Sequence, residues 1–264
     1  MTTLEMKVDQ QNKETAFRDV SPEIRERTKK MMMYFIIFAV VMLFAGFTSG
    51  YIVMAAGEYM VHVAPTAELY YSIVAVIASS ITIFLSLFLM KKGNVGGSTL
   101  MLGLTLILGI TFTITQYQGW QALSANGMGF TIQTAENGQD IYSWNRIEEI
   151  DAEYGVDYYV HKDGQIAQLV DGIFFAADDT VLASPITHII GKQSNLTSSF
   201  LAVLIFVHLI HLTFGLMYIA ANLFRIIKKK INPKDTVRLH VNGMYWHFMG
   251  LLWIYLFVFL FIIH

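Results

Sequence analysis

Five apolar runs, each about twenty residues long, constrain this chain more than any other feature. They cover roughly 31–56, 69–90, 98–119, 198–224 and 241–263. At 1.5 Å per residue a helix of that length crosses the ~30 Å hydrocarbon core. In hydrocarbon a helix also satisfies its own backbone hydrogen bonds. Only 14 % of residues are charged, and the mean hydropathy is +0.50. The expectation is an all-α integral membrane protein, a five-transmembrane-helix bundle. Hydropathy falls after the third run, so residues 120–197 read as a small mixed α/β extracytoplasmic insert. The division is then a 1–30 tail, helices 1–3 over 31–119, the 120–197 insert, and helices 4–5 over 198–264.

The basic residues set the expected orientation. Arg25, Arg27, Lys29 and Lys30 precede the first run, and Lys91 and Lys92 follow the second. Arg225, Lys228, Lys229, Lys230, Lys234 and Arg238 separate the last two, whereas Gly57–Glu68 has no Lys or Arg. The insert is rich in acids, among them Glu148, Glu149, Asp151, Glu153, Asp178 and Asp179. By the positive-inside rule the N-terminus is cytoplasmic and His264 extracytoplasmic.

Local signals refine the picture. Met1–Asp19 is polar and reads as disordered. Ser21-Pro22-Glu23 reads as an N-cap, a proline at the first helical position and a first-turn acid. Gly46 and Gly50 form a small-xxx-small pattern expected to bring two helices close. The hydroxyls Ser79, Ser80, Thr82, Ser86, Thr111, Thr113 and Thr115 should bond to their own or a neighbouring helix. In the insert Asn137-Gly138, Asp163-Gly164 and Asp171-Gly172 are turn signals. Asp157–Val160 and Gln165–Val170 predict a β-hairpin, and Trp144–Tyr154 a short helix.

Few residues in the spans could carry chemistry. His208 and His211 share a helix face. His247 lies about six residues into the last run from its inner side. Counted at 1.5 Å per residue, His211 is about 20 Å from the inner boundary and His247 about 9 Å. That mismatch disfavours a shared haem. No Asp, Glu or Cys completes a metal ligand set within the runs, so the histidines are expected to bond between helices. The lack of intramembrane carboxylates and of an inverted repeat argues against an ion-coupled transporter. Phosphate loops and hydrolase elbows are missing. With no cysteine there is no disulfide, zinc finger, Fe–S cluster or thiolate copper site. Nothing indicates a nucleic-acid partner.

These residues together resemble subunit III of the haem-copper respiratory oxidases. The resemblance rests on His208, His211 and Gly215 in the penultimate run, and on the box Tyr245-Trp246-His247-Phe248 followed by Trp253, with His240 upstream. Leu108, Gly109, Phe112, Gln116 and Trp120 at the end of the third run, and Ser79-Ser80 in the second, add to it. It touches all five runs, with the final box its most specific part. It implies the five-helix form of a bacterial cytochrome c oxidase subunit 3, multi-pass in the plasma membrane, non-catalytic and stabilising the catalytic core in aerobic electron transport. It implies no cofactor bound by this chain, haem and copper lying in subunits I and II, and those subunits and membrane lipids as partners. The quoted residues are then packing residues rather than catalytic or ligand residues. Arg225 matches a position that faces lipid phosphate in relatives.

The chain departs from that family pattern at three places. The first shared helix usually carries a glutamate, and none stands between Met31 and Ala56. The acid after the final box appears as Gly250, and the acid near the third helix end as Gly119. These changes weigh against a direct proton role. The insert is foreign to the short form, and is expected to meet a cytochrome c or a respiratory supercomplex partner. Two rival readings stay open: subunit III of a quinol oxidase, and a haem-b membrane anchor.

Overall fold

The computed structural model describes residues 21–125, 127, 130–134, 140–144, 147, 150–192, 196–229, 231, 233 and 236–263. Five of its helices are long and apolar enough to span a membrane. They are α1 (Pro22–Ala55), α2 (Ala67–Lys91), α3 (Val95–Ala125), α5 (Leu196–Ile227) and α6 (Val237–Val258), the last continued by a π-helical turn, Phe259–Ile263. A short α4 (Thr187–Lys192) precedes α5.

The ends follow local chemistry. At the start of α1 the Ser21 hydroxyl accepts from the Ile24 N–H at 3.4 Å, with Pro22 and Glu23 in the first turn. This is the N-cap the sequence predicts, and α1 runs from it into the apolar stretch without a break. Between α2 and α3 the chain reverses through Gly93, at φ +82°. The Asn94 side chain then accepts from the Gly97 N–H at 2.9 Å.

α2 and α3 form an antiparallel hairpin. α6 is the most buried span and packs on α1, α2 and α5, while α5 also packs on α1 and α3. The core includes Phe44, Leu69, Ile83, Leu102, Phe112, Trp246 and Trp253, all essentially without exposed surface. Outside the bundle Phe35 and Phe38 of α1, Ile107 and Ile114 of α3 and Phe206 and Phe214 of α5 are exposed. An apolar exterior of this kind suits a hydrocarbon solvent. Lys30, Lys91 and His240 come within electrostatic reach of one another at one end. The insert and the α1–α2 connection occupy the other.

At that second end the α1–α2 connection contains a strand, β1 (Met60–Val63). It pairs antiparallel with β4 (Tyr158–Lys162) in the insert, from Met60 opposite His161 to Val63 opposite Tyr158. Val61, Val63 and Val160 face inward. The remaining strands are β2 (Phe130–Thr134) paired with β3 (Asp140–Trp144), β5 (Gln165–Ile166) paired with β4, and β6 (Gln168–Val170) paired with β7 (Ile173–Phe175).

Both Asp-Gly turns form. Asp163 and Asp171 have φ of 51° and their glycines φ of 80° and 78°, as a two-residue hairpin turn requires. The second strand of the predicted hairpin is split, however. Ala167 donates its N–H to Val160 O at 2.8 Å and Gln168 begins a separate pairing with β7. The predicted short helix over Trp144–Tyr154 is described only in part: Ile147 has 3-10 helical conformation and its carbonyl accepts from the Ile150 N–H. Trp144 closes β3 and Tyr154 bridges to Tyr158, while residues 145, 146, 148 and 149 lie outside the description. The Asn137-Gly138 turn and the tail before Ser21 also lie outside it.

The glycine pattern in α1 needs correcting as well. A Cβ on Gly46 would meet nothing within 4 Å, and one on Gly50 only the Phe200 ring at 3.8 Å. Close approach happens instead at Gly109, Gly119, Gly215 and Gly250.

Candidate functional site

The hydroxyls of α2 lie along one stripe, at positions 72, 79, 82 and 86, a spacing that keeps them on one helix face. All four are buried. The stripe faces α3 and α6, and most of the hydrogen bonds between spans run through it. Ser72 Oγ accepts from Gln116 Nε2 at 2.7 Å and from Trp253 Nε1 at 3.1 Å, while its own proton goes to Leu69 O. Ser79 Oγ accepts from Trp246 Nε1 at 2.9 Å and donates to Val76 O. Thr82 meets Thr105 at 2.9 Å, and Ser86 donates to Ser98 O at 2.9 Å.

Each indole is therefore an apolar wedge with one polar tip satisfied, the arrangement buried tryptophans favour. Glycines make room for Trp246. A Cβ on Gly109 would lie 2.8 Å from Trp246 Cη2 and 2.6 Å from Leu216 Cδ2, and one on Gly215 would lie 3.2 Å from the Tyr245 ring. Gly109, Gly215, Ser79 and Trp246, scattered in sequence, thus meet at one place. Tyr245 OH donates to His211 O at 2.9 Å, tying α6 to α5. α1 joins through Tyr255 OH, which donates to Thr48 Oγ1 at 3.2 Å.

The histidines behave differently from the expectation. His208 is fully buried among Phe44, Phe112 and Trp253, at ring-centroid distances of 6.4, 6.3 and 5.6 Å. Neither of its ring nitrogens has a partner among the described residues. His211 Nδ1 bonds within its own helix, to Val207 O at 2.7 Å. The interhelical bonds expected of histidine are made by tryptophan, tyrosine, glutamine and hydroxyls. Only its helical spacing from Ser79 marks Ser72 in the sequence.

The depth argument against a shared haem also changes. Gly215 lies against Trp246 and His208 against Trp253, so α5 and α6 run antiparallel in a fixed register. His247 is then level with about residue 214, within about one helical turn of His211. Hydropathy boundaries misled because α5 and α6 do not end in one plane. The two histidines are kept apart by direction instead. His211 lines a groove of about 490 Å³ with Val40, Phe214 and Tyr245, and His247 lines another of about 530 Å³ between α2 and α6. Among the described residues no three His, Cys, Asp or Glu side chains gather as a metal ligand set.

Trp120 leaves its buried Nε1 without a partner among the described residues. Trp120 stacks edge-on against Tyr117 at 6.4 Å, and Phe248 is half-buried against the core. Arg225 Nη1 donates to Asn222 Oδ1 at 3.3 Å. Gly119 and Gly250, where the resemblance expects acids, are closed by α2. A Cβ on Gly119 would lie 2.7 Å from Leu69 Cδ2, and one on Gly250 would lie 3.0 Å from Val76 Cγ2.

Fold and site together define a multi-pass helical membrane protein whose polar groups mostly join its own helices. Residues 172–264 match the model of the family described as cytochrome c oxidase subunit III. The chain is 24 % identical over 181 residues to the cytochrome c oxidase subunit 3 of Alkalihalophilus pseudofirmus, covering 69 % of this chain and 58 % of that protein. It is 31 % identical over 55 residues to the quinol oxidase subunit 3 of Bacillus subtilis, 21 % of this chain and 27 % of that one. It is 34 % identical over 50 residues to the cytochrome c oxidase subunit 3 of Bacillus subtilis, 19 % of this chain and 24 % of that protein. These matches make the chain similar to subunit 3 of cytochrome c and quinol oxidases, and it spans less than two thirds of the length of each of these relatives.

Proposed function

We propose that this chain is the non-catalytic subunit III of a bacterial cytochrome c oxidase, holding the catalytic core together in the plasma membrane during aerobic electron transport. The observation that carries the reading is the setting of the family box. Trp246 fills a notch made by Gly109 and Gly215 and is pinned by Ser79, so the residues that mark the family serve packing. In this reading haem and copper belong to subunits I and II, and the basic end carrying Lys30 and Lys91 is cytoplasmic. Arg225 would face lipid phosphate. The insert would lie outside, where its acids could meet a basic electron donor.

Purification of the tagged chain in mild detergent, with mass spectrometry and a haem spectrum, tests this. Subunit I with a copper-bearing subunit II and a-type haem is the expected result. A copper-free subunit II would move the assignment to a quinol oxidase. Haem retained by the chain after removal of every partner would make the histidines ligands and overturn it. For the insert, deletion of 130–190 should lower electron input from cytochrome c while leaving assembly intact, and unchanged input would end the docking idea.

A further inference from the structure

Two asparagine amides sit inside the bundle with polar atoms unmatched. Asn222 of α5 and Asn242 of α6 have no exposed surface. Asn242 Nδ2 and Oδ1 lack a hydrogen-bond partner among the described residues, and so does Asn222 Nδ2. The two amides therefore do not bond each other directly. Asn222 Oδ1 is in use, accepting from Arg225 Nη1 at 3.3 Å.

The register of α5 and α6 brings the pair together. His208 meets Trp253, and Gly215 meets Trp246. Asn222 continues the α5 stripe seven residues beyond Gly215, and Asn242 continues the α6 stripe four residues before Trp246. In height the amides are within about one helical turn of each other. Packing is also looser here than further along α6. A Cβ on Gly215 or Gly250 would touch a neighbour at 3.2 or 3.0 Å. Gly243, beside Asn242 and likewise buried, has nothing within 4 Å of that point.

A buried amide without a partner is costly, and the atoms on offer select the ligand. The NH2 groups need an acceptor, whereas Asn242 Oδ1 needs a donor, so neither a cation nor an anion suits the set. Water does suit it. It accepts from Asn222 Nδ2, donates to Asn242 Oδ1 and keeps a lone pair for Asn242 Nδ2, within the roughly two to four partners that internal water takes.

We propose that an internal water molecule joins Asn222 to Asn242 and ties α5 to α6 toward the end of the bundle that carries Lys30 and Lys91. By holding the Asn222 side chain it also sets the acceptor that Arg225 reaches, so Arg225 is oriented from within the bundle. The site stands independently of the subunit III reading.

The direct test is an experimental structure of the full chain, purified from membranes, at a resolution that shows water. Density for one oxygen should stand within about 3.2 Å of Asn222 Nδ2 and of Asn242 Oδ1. Amides in direct contact, or apart with no density between them, would overturn the proposal. So would a peak that gives a bromide signal in crystals grown with bromide, because the ligand would then be an anion. A double-mutant cycle read by unfolding in detergent gives a second measurement. Asn222→Leu and Asn242→Leu should each lower the midpoint, since each leaves the remaining amide without its bridge. Together they should fall short of additive by about fivefold in the unfolding equilibrium constant, the scale of one shared hydrogen bond. Midpoints that rise in both single variants would mean bare amides and no water.

Discussion

The indole nitrogen of Trp246 lies 2.9 Å from Ser79 Oγ, and the far edge of the same ring rests against Gly109. One residue of the last helix therefore fixes the positions of both the second and the third. Ser79→Ala keeps the shape but leaves a buried N–H without an acceptor, a loss of about 1–2 kcal/mol. Thermal unfolding in detergent should show a lower midpoint, and Ser79→Thr should restore part of it.

Glycine substitutions should sort by the space beside them. Gly109→Ala places a methyl group within 3 Å of Leu216 and Trp246, and overpacking of that kind costs about 1–3 kcal/mol. Gly46→Ala meets nothing within 4 Å and should raise helix stability by about 0.5–1 kcal/mol. Unfolding midpoints moving in opposite directions would bear this out; equal shifts would count against the packing account.

Ser72 serves two donors, Gln116 and Trp253, from two different helices. Ser72→Ala should cost about 2–3 kcal/mol, more than Ser79→Ala, because two buried donors lose an acceptor. In a double-mutant cycle with Gln116→Leu the effects should fall short of additive by about 1 kcal/mol, since the amide no longer needs that oxygen. Strict additivity would mean that the hydroxyl is not shared.

In the insert Asp179 accepts from the Ser184 and Ala183 N–H groups at 2.8 and 3.2 Å. Those backbone bonds hold its carboxyl below the ordinary value of 3.8. A depressed carboxylate pKa stabilises the turn above the ordinary value, and that contribution fades as pH falls through the lowered one. Hydrogen exchange at residues 183 and 184 should therefore quicken, relative to neighbouring amides, only in acid below about pH 4. Asp179→Asn should remove the pH dependence, and its persistence would point to another group.

The spans were readable because hydrocarbon imposes a length and a composition on any helix that crosses it. α1 could be started at Ser21 from its cap alone, and the Asp-Gly turns from their need for positive φ. What the sequence could not convey was choice of partner. Ser79 and Thr82 read as generic hydroxyls and Ser72 does not stand out at all; only the fold shows that Ser72 and Ser79 receive the tryptophans and Thr82 another hydroxyl. Gly46 and Gly109 look alike in one dimension, and the face each turns inward separates them. Hydropathy marks the end of the apolar stretch, not the register between two helices, so it does not set the depth of His247 relative to His211.

The pairing of β1 with β4 has a consequence for the order in which the protein is made. Met60–Val63 leaves the ribosome roughly 95 residues before Tyr158–Lys162. At about 5–20 residues per second that is roughly 5 to 20 s. Throughout that time β1 is a bare strand edge between two spans already seeking the membrane. The first helix hairpin is thus completed by a segment not yet synthesised. A protease or holding chaperone acting at that end of the growing chain would find its target in this interval, and lose it once β4 arrives.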